Sequence, residues 1–277
     1  MRINHNISSM ITQGSLFMTG RSNNKTLEKL STGLRINRAS DDAAGLSISE
    51  NLRTQVNGLA MAKRNGQDGI ALLQIAEGAM NEISAILQRM RELAVQSAND
   101  TLTTTERLYT DAEYQQLISE IDRISDATTY NGMTLLDGAG FGTGGDDSLW
   151  IGANDVAATD SLTIAMTAAD AGTLGVSGDV TDQTNAVASI TECDTAIDAL
   201  NAQRSDVGAY VNRLEHAINN IINQEHNTQA AESVIRDTDF AVETANFTKY
   251  QILQQSGTAM LAQANMVSQN VLGLLGR

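Results

Sequence analysis

Three histidines, one cysteine and 33 acidic side chains are the groups in this 277-residue chain that could ligate a metal, attack an electrophile or move a proton. Their spacing converges on none of these. His216 and His226 stand ten residues apart and His5 is remote in sequence, so neither an H-E-x-x-H pair nor a comparable ligand spacing exists. No G-x-S-x-G and no G-x-x-x-x-G-K-[ST] occurs. The GTGGDD stretch at 142–147 offers Asp146 and Asp147 to a cation, but a calcium loop needs ligands at alternate positions and a closing Glu, so a hairpin loop is expected. Adjacent Asp41 and Asp42 suit helix capping better than acid–base catalysis. Cys193 excludes an internal disulfide and reads as a small buried thiol. Asn6, Asn24, Asn99 and Asn246 each open an N-x-[ST] triplet, a chance match in a chain this rich in Asn and Thr. No catalytic residue, metal or cofactor is expected, and the chain is not read as an enzyme.

The elements that would carry these groups are helices. The chain has no proline, which removes the strongest helix breaker, and aromatics make up 4% of it, which favours thin packing between helices. Net charge is −15 but unevenly spread. Residues 1–65 hold nine Lys/Arg, Arg2 among them, against four Asp/Glu, a balance of +5; the remainder holds nine against 29, a balance of −20. The basic positions are scattered and lack interleaved aromatics, so nucleic acid is not an expected partner. The start, MRINHNISSMITQGS, has no apolar h-region, so no cleaved secretory signal is expected. No uninterrupted apolar run approaches a membrane span, and membrane insertion is not expected.

Along the chain, residues 3–32 read as a first helix with Ile7, Met10, Ile11, Leu16, Leu27 and Leu30 as its stripe, closed by Gly33 as a left-handed cap. Ser40 and Asp41 are the candidate caps of a second helix from about 43 to 99. Its apolar positions, Leu52, Val56, Leu59, Ile70, Leu73, Ile75, Ala76, Met80, Ile83, Leu87, Met90, Leu93 and Ala94, fall mostly 3 and 4 apart, a coiled-coil seam. Such a helix is on the order of 80 Å long and implies a rod. A third helix, about 104–128, uses Leu108, Tyr114, Leu117, Ile118, Ile121 and Ile124. Tyr130-Asn131-Gly132 opens a β-hairpin and loop insertion of about 130–188, with SLTIAM at 161–166 and VSGDV as further short strands or loop. Helical periodicity returns near Asn185 and runs to the end. The fold class is mainly α: a long coiled-coil rod, N- and C-terminal helices paired, the small β region at the outward tip.

The final stretch, Asn246–Arg277, has no acid and only Lys249 and Arg277 as charges, yet carries apolar residues at helical spacing. A thin monomer cannot cover such a stripe, so it must be buried against the N-terminal segment and against other copies. The expected packing residues are Ile7, Ile11, Leu27, Leu30 and Leu34, with Leu253, Met260, Leu261, Ala264, Val271, Leu274 and Leu275. Both termini are expected to order on assembly.

LEKLSTGLRINRASDDAAGLSISENLRTQVNGL (27–59) and NGQDGIALLQIAEGAMNEISAILQRMRELAVQSAN (65–99), with VGAYVNRLEHAINN, AAESVIRDTDFAVET and ILQQSGTAMLAQAN near the other end, resemble bacterial flagellin. The resemblance covers both ends and lapses at roughly 140–190. It implies a structural subunit that self-assembles into the extracellular flagellar filament, is exported unfolded by the flagellar type III system, and meets an export chaperone and a filament cap. It implies an inner coiled-coil domain of residues 1–42 with 238–277 lining a lumen, a helical rod domain of 43–237, and no large outer domains. It also implies a host Toll-like receptor contact at Arg89, Leu93, Gln96 and Glu113. Three departures stand out: Val234 where Arg is usual, Phe240 where Met is common, and a tail, NMVSQNVLGLLGR, without the proline often found there. A hook–filament junction protein shares the resemblance at both ends; a secreted helical adhesin and a flagellin bearing a metallopeptidase insert are the other readings.

Overall fold

The computed structural model describes residues 5–138 and 147–275, with the backbone alone for 267–275. Helix α1 (Ile7–Thr32) starts four residues later than its apolar spacing suggests, because the Asn6 side chain accepts the Ser9 N–H at 3.1 Å and caps it there. It stops at Gly33, whose φ of +73° is the left-handed conformation that glycine adopts without strain.

Helix α2 (Ala43–Ser97) is capped by neither Ser40 nor Asp41. Asp42 does it, its Oδ1 accepting the Gly45 N–H at 2.9 Å. Asp41 instead accepts the backbone N–H groups of Asn37 and Arg38 and pairs with Lys25 at 2.8 Å, which fixes the turn before the helix. Gly45 makes room here, since a Cβ would lie 2.5 Å from Asp42 Oδ2 and 2.8 Å from Ile36 Cδ1 and would force those side chains to shift. Helix α3 (Thr104–Ala127) begins with a capping box, the Thr103 hydroxyl accepting the Glu106 N–H while the Glu106 carboxylate accepts the Thr103 N–H at 2.7 Å.

The middle of the chain holds two small antiparallel pairs. Strands β1 (Thr129–Tyr130) and β2 (Met133–Thr134) join through Asn131 and Gly132, both at positive φ, the two-residue turn that matches strand twist. Strands β3 (Ser148–Trp150) and β4 (Ser161–Thr163) pair across the single-turn helix α4 (Ala157–Asp160). After α5 (Ala171–Leu174) the VSGDV segment is loop, with Val176 and Val180 buried. Helix α6 (Gln183–Arg236) does not continue to the end. It breaks at Asp237–Asp239, and Asp239 caps α7 (Phe240–Leu275) by accepting the Ala241 and Val242 N–H groups. Periodicity misses this break because backbone bonds to the distant turn at Gly33–Arg35 help hold it. The mainly α fold with a small β region in the middle is as the sequence suggests.

The chain forms two compact units, residues 55–226 and residues 1–54 with 227–277. The first has a filled core. Leu72, Leu73, Ala76, Met80, Ile83, Leu87, Met90, Leu93 and Ala94 form one buried face of α2, meeting Tyr114 and Ile121 of α3 and Ala186, Cys193, Ala196, Leu200, Val207 and Leu214 of α6. Leu135, Leu136, Leu162, Ile164, Val176 and Val180 bring the insertion onto the same core. Ile75 and Leu108, counted in the sequence stripes, face outward. By length and composition α2 could span a membrane, with a mean hydropathy of 1.3 over its most apolar window. One face of it, from Leu72 to Ala94, is instead taken up by this core, while Ile48, Met61, Ile75 and Val95 stay exposed.

Candidate assembly surface

The unit of residues 1–54 and 227–277 is built on the antiparallel pairing of α1 with α7. Asn6 Nδ2 donates to the Ala264 carbonyl at 3.0 Å, Ser9 Oγ to Asn265 Oδ1 at 2.8 Å, and Lys29 Nζ lies 3.7 Å from a Glu243 oxygen. At the closed end Arg35 N–H donates to the Arg236 carbonyl and Thr238 N–H to the Gly33 carbonyl, clasping the turn after α1 to the break before α7. Arg236 also pairs with Glu50 at 2.8 Å.

What the helices turn toward each other is mostly small or polar. At about 100° per residue, Thr12, Leu16, Thr19, Asn23, Thr26 and Leu30 share the face of α1 that is covered, and Thr26 alone is fully buried. Gly257 lets α7 approach Leu16, whose Cδ1 would lie 3.1 Å from a Cβ built there. The opposite face of α1 carries Ile7, Met10, Ile11, Phe17 and Met18, between 52% and 66% exposed. On α7, Ile252, Leu253, Met260 and Met266 are exposed as well. Two helices that leave their large apolar side chains in water while pairing through threonines are unfinished as a fold.

The expected packing residues divide accordingly. Ile7, Ile11, Leu27, Leu253 and Met260 are exposed in the single chain, whereas Leu30, Leu261 and Ala264 are partly covered on the paired helices and Leu34 is partly covered beyond the end of α1, where it bridges to Asp237. Val271, Leu274 and Leu275 lie outside the residues whose side chains are described. Sequence reasoning did not separate the two faces, and it left Phe17 and Met18 out of the packing set. Their spacing from Met10 and Ile11 was the signal.

The other expected residues are placed as follows. Arg89 donates to Glu113 through Nε at 3.0 Å and pairs with Glu92 at 3.1 Å on an exposed surface of α2 and α3, with Gln96 exposed. Leu93 is 1% exposed and belongs to the core, so any contact from outside falls to Arg89, Gln96 and Glu113. The histidines are exposed, and among the described residues no three His, Cys, Asp or Glu side chains gather as a metal site. Residues 142–146 of the GTGGDD stretch, Arg2, and Arg277 lie outside the described residues. Cys193 is buried against the Tyr114 hydroxyl at 3.6 Å, and burial pushes both the thiol and the phenol above their ordinary ranges. Val234 is 82% exposed, and Phe240 has its ring near Gly33.

A core-filled helical unit joined to a helix pair with unfilled faces defines a structural polymer subunit. Comparison with known proteins agrees. The bacterial flagellin N-terminal helical region matches residues 3–140 and the bacterial flagellin C-terminal helical region matches residues 190–275. A flagellar filament 33 kDa core protein of Treponema phagedenis is 46% identical over 99% of this chain and 100% of its own length. A flagellin of Halalkalibacterium halodurans is 47% identical over 99% of this chain and all of its own. A Vibrio parahaemolyticus structure described as a flagellar hook-associated protein shares the fold, with a TM-score of 0.57 at 18% identity over 71% of this chain and 99% of that one. The chain belongs to the bacterial flagellin family and is a structural subunit of the flagellar filament.

Proposed function

We propose that the subunits polymerise by burying between copies the helix faces that a single chain leaves in water. The observation that carries this is the outward row Ile7, Met10, Ile11, Phe17 and Met18, which has no partner among the described residues of its own chain. Ile7, Ile11, Leu27, Leu30, Leu34, Leu253, Met260, Leu261, Ala264, Val271, Leu274 and Leu275 are the packing set. Residues 1–42 with 238–277 form the inner, lumen-lining domain and 43–237 the helical domain with its insertion at about 130–188. Contacts of this kind are heterologous and do not close, which yields a helical homopolymer. The α1–α7 pair, with so little buried, is the least stable part of the monomer and orders fully in the polymer.

The filament lies outside the cell, reached by unfolded export through the flagellar type III route with a chaperone, and elongation proceeds beneath a cap. The role is structural, not catalytic. Host-receptor engagement is proposed at Arg89, Gln96 and Glu113, tested by loss of a reporter-cell response in Arg89→Ala. A junction protein would be a trace component of purified filaments, whereas this subunit is expected to be a bulk one.

The test of assembly is seeded polymerisation of the purified chain, followed by electron microscopy. Wild type elongates seeds and Ile11→Asp does not. Limited proteolysis trims the ends of the monomer but not of the filament. Elongation by Ile11→Asp at the wild-type rate would place the contact elsewhere.

A further inference from the structure

Gly14 sits in the interior of α1, where glycine costs about 1 kcal/mol relative to alanine. No packing within the chain demands it: a Cβ built on Gly14 meets no described atom within 4 Å, unlike Gly257 on the partner helix. Nor does the backbone, which is ordinary helix there. Its surroundings are unusual. The positions that frame residue 14 on a helical surface are i−4, i−3, i+3 and i+4, and here they are Met10, Ile11, Phe17 and Met18, every one large, apolar and exposed. The result is a hollow with an apolar rim and a bare backbone floor, the shape of a hole that receives a knob from a facing helix.

The occupant follows from symmetry. Two copies of α1 face to face would make an isologous contact, which closes as a dimer. α7 has Glu243 and Lys249 as its only charges, and on the side turned from α1 it presents Ala245, Ile252, Ala259 and Met266 at seven-residue intervals, all exposed. An α1-to-α7 contact between copies leaves each end copy with one face free, so growth continues.

We propose that the hollow over Gly14 is a socket for an apolar side chain from the outward row of α7 in a second copy, with Ile252 the leading knob. This rests on the assembly reading above and assigns its partner and register.

Gly14→Leu fills the socket while favouring the helix, so the monomer should keep its far-ultraviolet circular dichroism and melting transition. Its critical concentration for seeded elongation should rise about tenfold or more. Met18→Glu, which charges the rim, should block elongation in parallel. Unimpaired elongation by both variants would overturn the assembly reading itself; unimpaired elongation by Gly14→Leu with Met18→Glu blocked would overturn the socket alone. For the partner, Gly14→Cys and Ile252→Cys chains in a Cys193→Ala background are mixed, polymerised and treated with a short bismaleimide. Cross-links between the two chains are expected. Links between two Gly14→Cys chains, or none, would overturn the assignment to α7.

Discussion

Replacing Phe17 by alanine should weaken the filament and spare the fold. The ring is 66% exposed in the single chain, so about two-thirds of its burial free energy is still available. Full burial of a phenylalanine stabilises by roughly 1.5–3 kcal/mol, which leaves roughly 1–2 kcal/mol to be gained on assembly. At 1.4 kcal/mol per factor of ten, losing it raises the critical concentration about 5- to 30-fold. Helix propensity works the other way, because alanine favours α1 more than phenylalanine does, so a weaker helix cannot account for the defect. The control is Leu87→Ala. Leu87 is fully buried in the core of residues 55–226, and its truncation should cost about 2–5 kcal/mol of stability. The assay is the protein concentration left in the supernatant after seeded polymer is pelleted, read beside thermal unfolding of the monomer. Phe17→Ala should move the first and not the second; Leu87→Ala should move the second. An unchanged supernatant concentration for Phe17→Ala would mean that the ring stays wet in the filament, and the reasoning would fail.

Thr103→Ala removes the cap of α3 and should lower stability by about 1 kcal/mol in chemical denaturation, with the fold otherwise intact. The Cys193 thiol should resist alkylation in the native monomer and react fully in denaturant, since it is buried against Tyr114. Burial raises both groups, so the folded state holds their protons more tightly than the unfolded state does. Their contribution is therefore complete at neutral pH and declines as pH climbs past about 9, which an alkaline melt of Tyr114→Phe against wild type would show as a smaller loss. Asp41 has the opposite sign. The hydrogen bond from Lys25, with those from the Asn37 and Arg38 N–H groups, holds its carboxyl below the usual range, so the turn before α2 is stabilised at neutral pH and loosens as pH falls below about 4, and Lys25→Met should reduce that acid-side loss in a pH titration of stability.

Much of this molecule was legible because its signals are local. The spacing of Leu73, Ala76, Met80, Ile83, Leu87 and Met90 states a helix with one buried face, and Asn131-Gly132 states a tight hairpin. Gly33 announced the end of α1 for a reason confined to its own φ. The misses were choices between neighbours. Asp41 and Asp42 are chemically alike, and only the turn closed by Asn37 and Arg38 decides that the first binds back while the second caps. The break at Asp237–Asp239 was hidden because apolar periodicity continues on both sides of it. Leu93 lies in the same α2 segment as the exposed Arg89 and Gln96, and packing alone turns it inward.

By itself the sequence determined that long helices would form, that both chain ends would carry apolar stripes, and that the chain is similar to flagellin. Each of these depends on residue type and spacing. Only the tertiary structure decided which face of α1 meets α7. A periodic stripe says that a surface needs covering but not what covers it. Here the pairing goes to threonines, Leu16 and a close approach at Gly257, and the large side chains around Gly14 stay exposed. That outcome depends on how near two helix backbones can come, a distance set between segments far apart in the chain.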